Sequence, residues 1–216
     1  MNVTIGRAIN LLNAGYSVMP ISEGKRPLIK WKEYQTKRIT PQELQEYESK
    51  AKGFGIITGY WDVECIDVDL KVFPSVQDGK IFWDELVSFF SDHIDDFDKK
   101  FVIYKTVNSG YHIIFRCKTI GGNQKIATLK DHTQAVIETR GTGGYIYIYD
   151  NQISKIGYED IQEITIEDRA NLIGLCRYFN YEVNEDTEVK KITVENEGLT
   201  PWDDYNQRNS VLDVIG

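Results

Sequence analysis

Residues 63–70, Val-Glu-Cys-Ile-Asp-Val-Asp-Leu, set two aspartates one residue apart within a run rich in β-branched and apolar side chains. A run of this length and composition reads as a β-strand. Successive side chains of an extended strand leave on opposite faces and the backbone advances about 3.3 Å per residue, so Asp67 and Asp69 share a face with Cα atoms roughly 7 Å apart. Carboxylates so placed are either polar residues at a strand end or ligands for a pair of divalent metal ions. Two such ions, about 3.5–4 Å apart, clamp the attacking and leaving oxygens in phosphoryl transfer.

The 216 residues are enough for one large domain or two small ones sharing a cleft. No apolar run approaches the roughly 18–20 residues of a membrane span. Residues 1–15 read as an amphipathic helix with Ile5, Ala8, Ile9 and Leu12 on one face, not as a secretion signal. A soluble, cytoplasmic protein is expected. Cys65, Cys117 and Cys176 are widely separated, which supports neither a disulfide framework nor a structural zinc site.

The formal net charge of −8 argues at first against a polyanionic partner. The charge is uneven, however. Between Gly24 and Thr40 lie Lys25, Arg26, Lys30, Lys32, Lys37 and Arg38 against Glu33 alone, with Trp31 and Tyr34 interleaved. Such a cluster is either a solvated surface or a groove in which cations meet phosphates and flat rings stack on bases. We take Lys25, Arg26, Lys30, Trp31 and Lys32 as candidate DNA contacts, with binding that weakens as salt rises.

The chain reads as α+β. A strand over 16–20 precedes a loop at 23–27, and Thr40-Pro41-Gln42-Glu43 carries the signature of a capped helix start, with the helix running to about residue 51. Strands are expected over 53–58 and 63–70, a second helix over 80–93, a hairpin from 101–107 and 111–117 turning at Asn108-Ser109-Gly110, strands over 134–140 and 145–149 around a glycine-rich turn at 141–144, and a closing helix over 165–180. In the hairpin, His112, Ile114 and Arg116 share a face; Glu138 and Arg140 do so in the next strand. The Gly141–Gly144 segment is expected to be a tight turn more than a phosphate cradle, and Tyr145, Tyr147 and Tyr149 to be packing residues. His93 and His132 read as surface residues. Residues 183–200 read as a polar linker, and 201–216 as the start of a further module.

Three segments thus offer metal- or phosphate-compatible groups in order: Asp67 and Asp69, then Ser109-Gly110-Tyr111-His112, then Glu138 with Arg140. An Asp-x-Asp, a Ser-Gly-x-His and an acidic residue, in this sequence and each on a strand, resemble the archaeo-eukaryotic primase superfamily, and more narrowly the primase-polymerase (prim-pol) domain of phage and plasmid replication proteins. The Gly24-Lys25-Arg26-Pro27 segment with Trp31, the glycine-bounded stretch at 53–59, and the stretch from Glu138 to Tyr145 strengthen the likeness, which spans about residues 5–180.

The resemblance implies a prim-pol domain over 1–182: an RRM-like antiparallel sheet bearing the three motifs, with an N-terminal α/β unit as one wall of the cleft. It implies a nucleotidyltransferase that joins NTPs or dNTPs on single-stranded DNA. Asp67, Asp69 and Glu138 would be the catalytic metal ligands, although many relatives carry Asp where Glu138 stands. Hard oxygen ligands suit Mg²⁺ or Mn²⁺. Ser109, Gly110 and His112 match positions that hold the incoming nucleotide, and the strand face adds Arg140 as a further phosphate contact. A C-terminal helicase module is the implied partner. Two other readings stay open: a nucleotide- or DNA-binding module without catalysis, and a metal-dependent nuclease.

Overall fold

The computed structural model describes residues 3–129 and 134–180. In chain order the elements are α1 (Ile5–Ala14), β1 (Val18–Ile21), α2 (Pro41–Gln45), β2 (Gly53–Ile57), β3 (Val63–Val68), α3 (Val76–His93), α4 (Phe97–Lys100), β4 (Val102–Lys105), β5 (Tyr111–Arg116), β6 (Gln124–Thr128), β7 (Ala135–Arg140), β8 (Tyr145–Tyr147) and α5 (Ile166–Tyr178). The class is α+β, as the sequence suggests. Residues 183–216, with the expected linker and downstream module, and His132 lie outside the described residues. Among the described residues no helix is long and apolar enough to cross a membrane.

Two antiparallel sheets organise the molecule. The larger has the order β4-β5-β3-β7-β6, which puts β3, the strand of the aspartates, in the centre, flanked by the other two motif strands. With α3 connecting β3 to β4, this is an RRM-like arrangement. The smaller sheet, β1-β2-β8, joins two N-terminal strands to one that follows β7. The expected N-terminal wall is therefore completed by the C-terminal half of the chain.

Strand alternation divides the core. Ile66, Val68, Ile113 and Phe115 point to one face and pack with Phe82, Trp83, Leu86 and Phe90 of α3 and Leu172, Leu175 and Cys176 of α5. Val63, Cys65 and Ile114 point to the other face and pack with Val18, Phe54, Ile56 and Ile146 of the small sheet. Trp83 stacks flat on Tyr111, with ring centroids 3.5 Å apart, and so pins β5 to α3 one residue before His112.

Local signals explain the helix ends. In α1, Thr4 accepts from the Arg7 amide at 3.3 Å and Gly15 closes the helix at φ 119. Ala8, Leu11 and Leu12 are fully buried there, with Ile5 and Ile9 at the margin. The capping box at Thr40 and Glu43 forms as expected, but α2 ends at Gln45 and turns carry the chain to residue 51. The sequence reading misses α4, β6 and the 3-10 turns over Trp31–Gln35, Leu70–Val72 and Tyr158–Asp160. Ser75 caps α3 and starts it four residues before the expected 80.

Candidate active site

Cross-strand register assembles the site. Asp67 on β3 is paired with His112 on β5 and with Glu138 on β7, so the three residues stand abreast on one face of the large sheet. Neighbouring strands lie about 4.8 Å apart, which brings these side chains within mutual reach. One oxygen of Asp67 is 3.7 Å from His112 Nε2; the other is 3.6 Å from Arg140 Nε. Both separations exceed a hydrogen bond. Arg140 also grips Glu138 directly through its guanidinium.

The strand ends one residue short of Asp69. Asp69 instead caps a 3-10 turn over Leu70–Val72: Oδ1 accepts from the Lys71 amide at 3.2 Å and Oδ2 holds Lys71 Nζ at 2.5 Å. Lys71 is held above its ordinary pKa first by this bond, then by the charges of Asp69, Asp67 and Glu138. Each carboxylate of the expected metal set thus already faces a cation of the chain itself. Among the described residues, no three His, Cys, Asp or Glu side chains converge tightly enough to hold a metal ion. The donor set still suits one: hard carboxylate oxygens on adjacent strands, half-exposed, match Mg²⁺ or Mn²⁺.

His112 is 5% exposed, and its Nδ1 has no hydrogen-bond partner among the described residues. Burial, the largest influence, lowers its pKa, Asp67 opposes this, and the charges of Lys25 and Arg140 add to the lowering. The imidazole is accordingly neutral near pH 7 and keeps an N–H to give. Gly110, three-dimensionally, is a packing residue. A Cβ there would sit 2.4 Å from the Val68 carbonyl oxygen, so glycine lets the 106–110 loop close against the end of β3. Ser109 carries the left-handed conformation of that loop, at φ 66.

The glycine-rich turn is the tight turn expected. The Thr142 amide donates to Gly121 O at 2.8 Å, and Thr58 Oγ1 donates to Gly141 O at 2.6 Å, tying the turn to both sheets. Tyr147 Oη donates to Lys52 O, and Trp31 meets Tyr145 edge-on at 5.3 Å.

The basic stretch divides. Arg38 donates to the Leu12 carbonyl at 2.7 Å and Lys37 pairs with Glu33, so both serve the fold. Arg26, Lys30 and Lys32 are exposed and form no ion pair with described residues, and Trp31 is half-buried beside them. Lys25, exposed like them, differs in that its Nζ donates to a hydroxyl of the site, Tyr149 Oη, at 3.1 Å. The Tyr149 ring meets His112 edge-on at 5.3 Å. Sequence reading assigned no role in the site to Lys71 or Tyr149; the alternation of Tyr145, Tyr147 and Tyr149 was the available signal for the latter. His93, at the end of α3, is partly buried with Nδ1 2.7 Å from Phe89 O.

Among curated proteins, none matches the chain in sequence. The family described as bifunctional DNA primase/polymerase, N-terminal (Prim-Pol), matches over residues 8–163, a span that includes the basic stretch, both aspartates, the Ser-Gly-x-His segment and Glu138. The match covers most of the chain and every motif strand, and the protein belongs to the Prim-Pol family.

Proposed function

We propose that the domain is a template-dependent nucleotidyltransferase that joins NTPs or dNTPs on single-stranded DNA in phage or plasmid replication, with Asp67, Asp69 and Glu138 as its catalytic carboxylates. The supporting observation is the register that sets Asp67 beside both Glu138 and His112. Nucleotidyl transfer asks little covalent chemistry of a protein; it depends on alignment and on neutralising charge. Asp67, Asp69 and Glu138 would hold Mg²⁺ or Mn²⁺, which when bound supplies charge neutralisation at the phosphates and activates the attacking hydroxyl. Neutral His112 and Ser109 donate hydrogen bonds to phosphate oxygens, and Arg140 adds a forked cationic donor. Arg26, Lys30, Trp31 and Lys32 serve the template strand through phosphate contacts and stacking. A helicase module beyond the domain is part of the same reading.

The test is primer extension and de novo synthesis on single-stranded DNA, comparing the wild type with Asp67→Ala/Asp69→Ala. Product from the wild type alone is expected; equal product from both rejects the assigned carboxylates.

One observation favours a second reading, a nucleotide-binding module without catalysis: Arg140 and Lys71 already neutralise the carboxylates. Calorimetric titration with dNTP and Mn²⁺ separates the two, since binding without turnover on diverse templates supports the module.

A further inference from the structure

Lys25 occupies an unusual electrostatic position. Its backbone, at φ 56, lies in a loop closed by the Ser22 amide on Arg26 O at 2.8 Å and the Lys25 amide on Ser22 O at 3.0 Å. Tyr145 Oη donates to the Lys25 carbonyl at 3.3 Å and ties the loop to β8. From this anchored base the ammonium reaches Tyr149 Oη and lies 5.7 and 5.8 Å from the ring centroids of Tyr147 and Tyr149.

All these partners are neutral. Burial, followed by the charges of Asp67 and Asp69, pushes the Tyr149 hydroxyl up to about 12, so it stays a phenol at physiological pH. Arg140 and Lys71 each have a carboxylate; Lys25 forms no ion pair with any described residue. An ammonium with no ion pair to a described residue therefore stands on the Tyr149 hydroxyl, and the Tyr149 ring in turn meets the His112 ring edge-on at 5.3 Å. A polyanion entering there meets a charge that needs no carboxylate displaced from it, only a neutral phenol. A template backbone on the outer surface would be met by side chains pointing outward, as those of exposed Arg26, Lys30 and Lys32 can.

We propose that Lys25 binds the polyphosphate of the incoming nucleoside triphosphate, not the template, so that the 22–27 loop of the small sheet forms part of the nucleotide site. The inference rests on the nucleotidyltransferase reading for the identity of the ligand. It makes the two sheets partners in one site, with the small sheet supplying a cation and the large sheet the carboxylates and His112.

The experiment compares Lys25→Gln, Lys25→Arg and Lys30→Gln/Lys32→Gln with the wild type. Binding of a non-hydrolysable dNTP analogue is measured by calorimetry in Mn²⁺, with inorganic triphosphate as competitor, and binding of a single-stranded oligonucleotide by fluorescence anisotropy. Losing one charge-assisted hydrogen bond should weaken the analogue about tenfold or more in Lys25→Gln while oligonucleotide Kd stays within about twofold, and Lys25→Arg should recover most of the loss. Lys30→Gln/Lys32→Gln should show the opposite split. Lys25 is exposed and its turn is backbone-bonded, so an unchanged melting temperature verifies the fold of each variant. A Lys25→Gln protein that loses oligonucleotide affinity and keeps analogue affinity, or that changes neither, overturns the proposal, as does a wild type that binds no analogue. A wild type that binds the analogue through Lys25 but incorporates no nucleotide upholds the inference and rejects the catalytic reading instead.

Discussion

Glu64 and Arg169 form a two-pronged ion pair behind β3: Arg169 Nε donates to Oε2 at 2.6 Å and Nη2 to Oε1 at 3.0 Å, with Glu64 fully buried. The Gly121 amide also donates to Oε1 at 3.2 Å. Glu64 points to the face opposite Asp67, so this pair fixes α5 to β3 without entering the site. The arginine is raised above its ordinary pKa chiefly by the bond to Glu64. Removing one partner leaves a buried charge uncompensated, and Glu64→Gln should lose about 3–5 kcal/mol in urea unfolding. Glu64→Leu/Arg169→Leu should recover most of that loss. A Glu64→Gln protein of wild-type stability would show that the pair is dispensable.

Arg140 bridges Asp67 and Glu138, and this makes metal binding and internal charge pairing alternatives. In Arg140→Gln, with chelator present, two carboxylates face each other across adjacent strands without their cation, and repulsion of about 1 kcal/mol should lower the melting temperature by about 2–4 °C. Added Mn²⁺ should raise the melting temperature of the variant more than that of the wild type, because binding to the native state stabilises it by mass action and meets no competing guanidinium. Equal rises in the two proteins would show that Arg140 and the metal do not share these carboxylates.

Asp168 gives a pH dependence of known sign. Burial raises its pKa, but hydrogen bonds from Lys100 and Thr165 outweigh this and hold it below the ordinary 3.8. The unfolded chain therefore binds the proton first, so the stability from this group is complete above about pH 4 and is lost as pH falls through the folded value. Lys100 Nζ, 3.1 Å away, ties α4 to α5 through the same carboxylate. Asp168→Asn should be less stable than the wild type at pH 7, with the gap closing below about pH 4 in thermal melts. A gap independent of pH would remove Asp168 from the acid response.

The legible parts of the sequence were those set by local chemistry. Strand alternation correctly put His112, Ile114 and Arg116 on one face, and the Thr40 capping box formed as read. The Asp67 row was foreseen only as separate strand faces; which strands are neighbours depends on long-range pairing that no local pattern encodes. β6 went unread because Gln124–Thr128 is short, half polar and paired to β7 with register shifts. Charge counting treated the basic stretch as one surface, whereas tertiary packing puts the Lys25 ammonium on Tyr149 Oη, gives Arg38 to the Leu12 carbonyl and leaves Lys30 and Lys32 without an ion pair to a described residue. The Glu64–Arg169 pair spans 105 residues and has no sequence signal at all.

Gly110 and Gly24 are a matched pair for testing how the Ser109 loop is held. A methyl group on Gly110 would fall 2.4 Å from Val68 O and 3.3 Å from Thr106 Oγ1, while nothing lies within 4 Å of the same position on Gly24. Val68 follows Asp67, so relieving the clash moves either the 106–110 loop, with Ser109 in it, or the end of the strand that carries Asp67. Overpacking of this kind costs about 1–3 kcal/mol, and Gly110→Ala should lose that much in urea unfolding and raise the nucleotide KM severalfold. Gly24→Ala should be neutral in stability within about 0.5 kcal/mol, since it adds a methyl group to an exposed surface. The loss in Gly110→Ala should persist in the double variant without deepening, because the two sites share no contact. Wild-type stability in Gly110→Ala would show that the loop yields freely, and that the close approach to Val68 does not position Ser109.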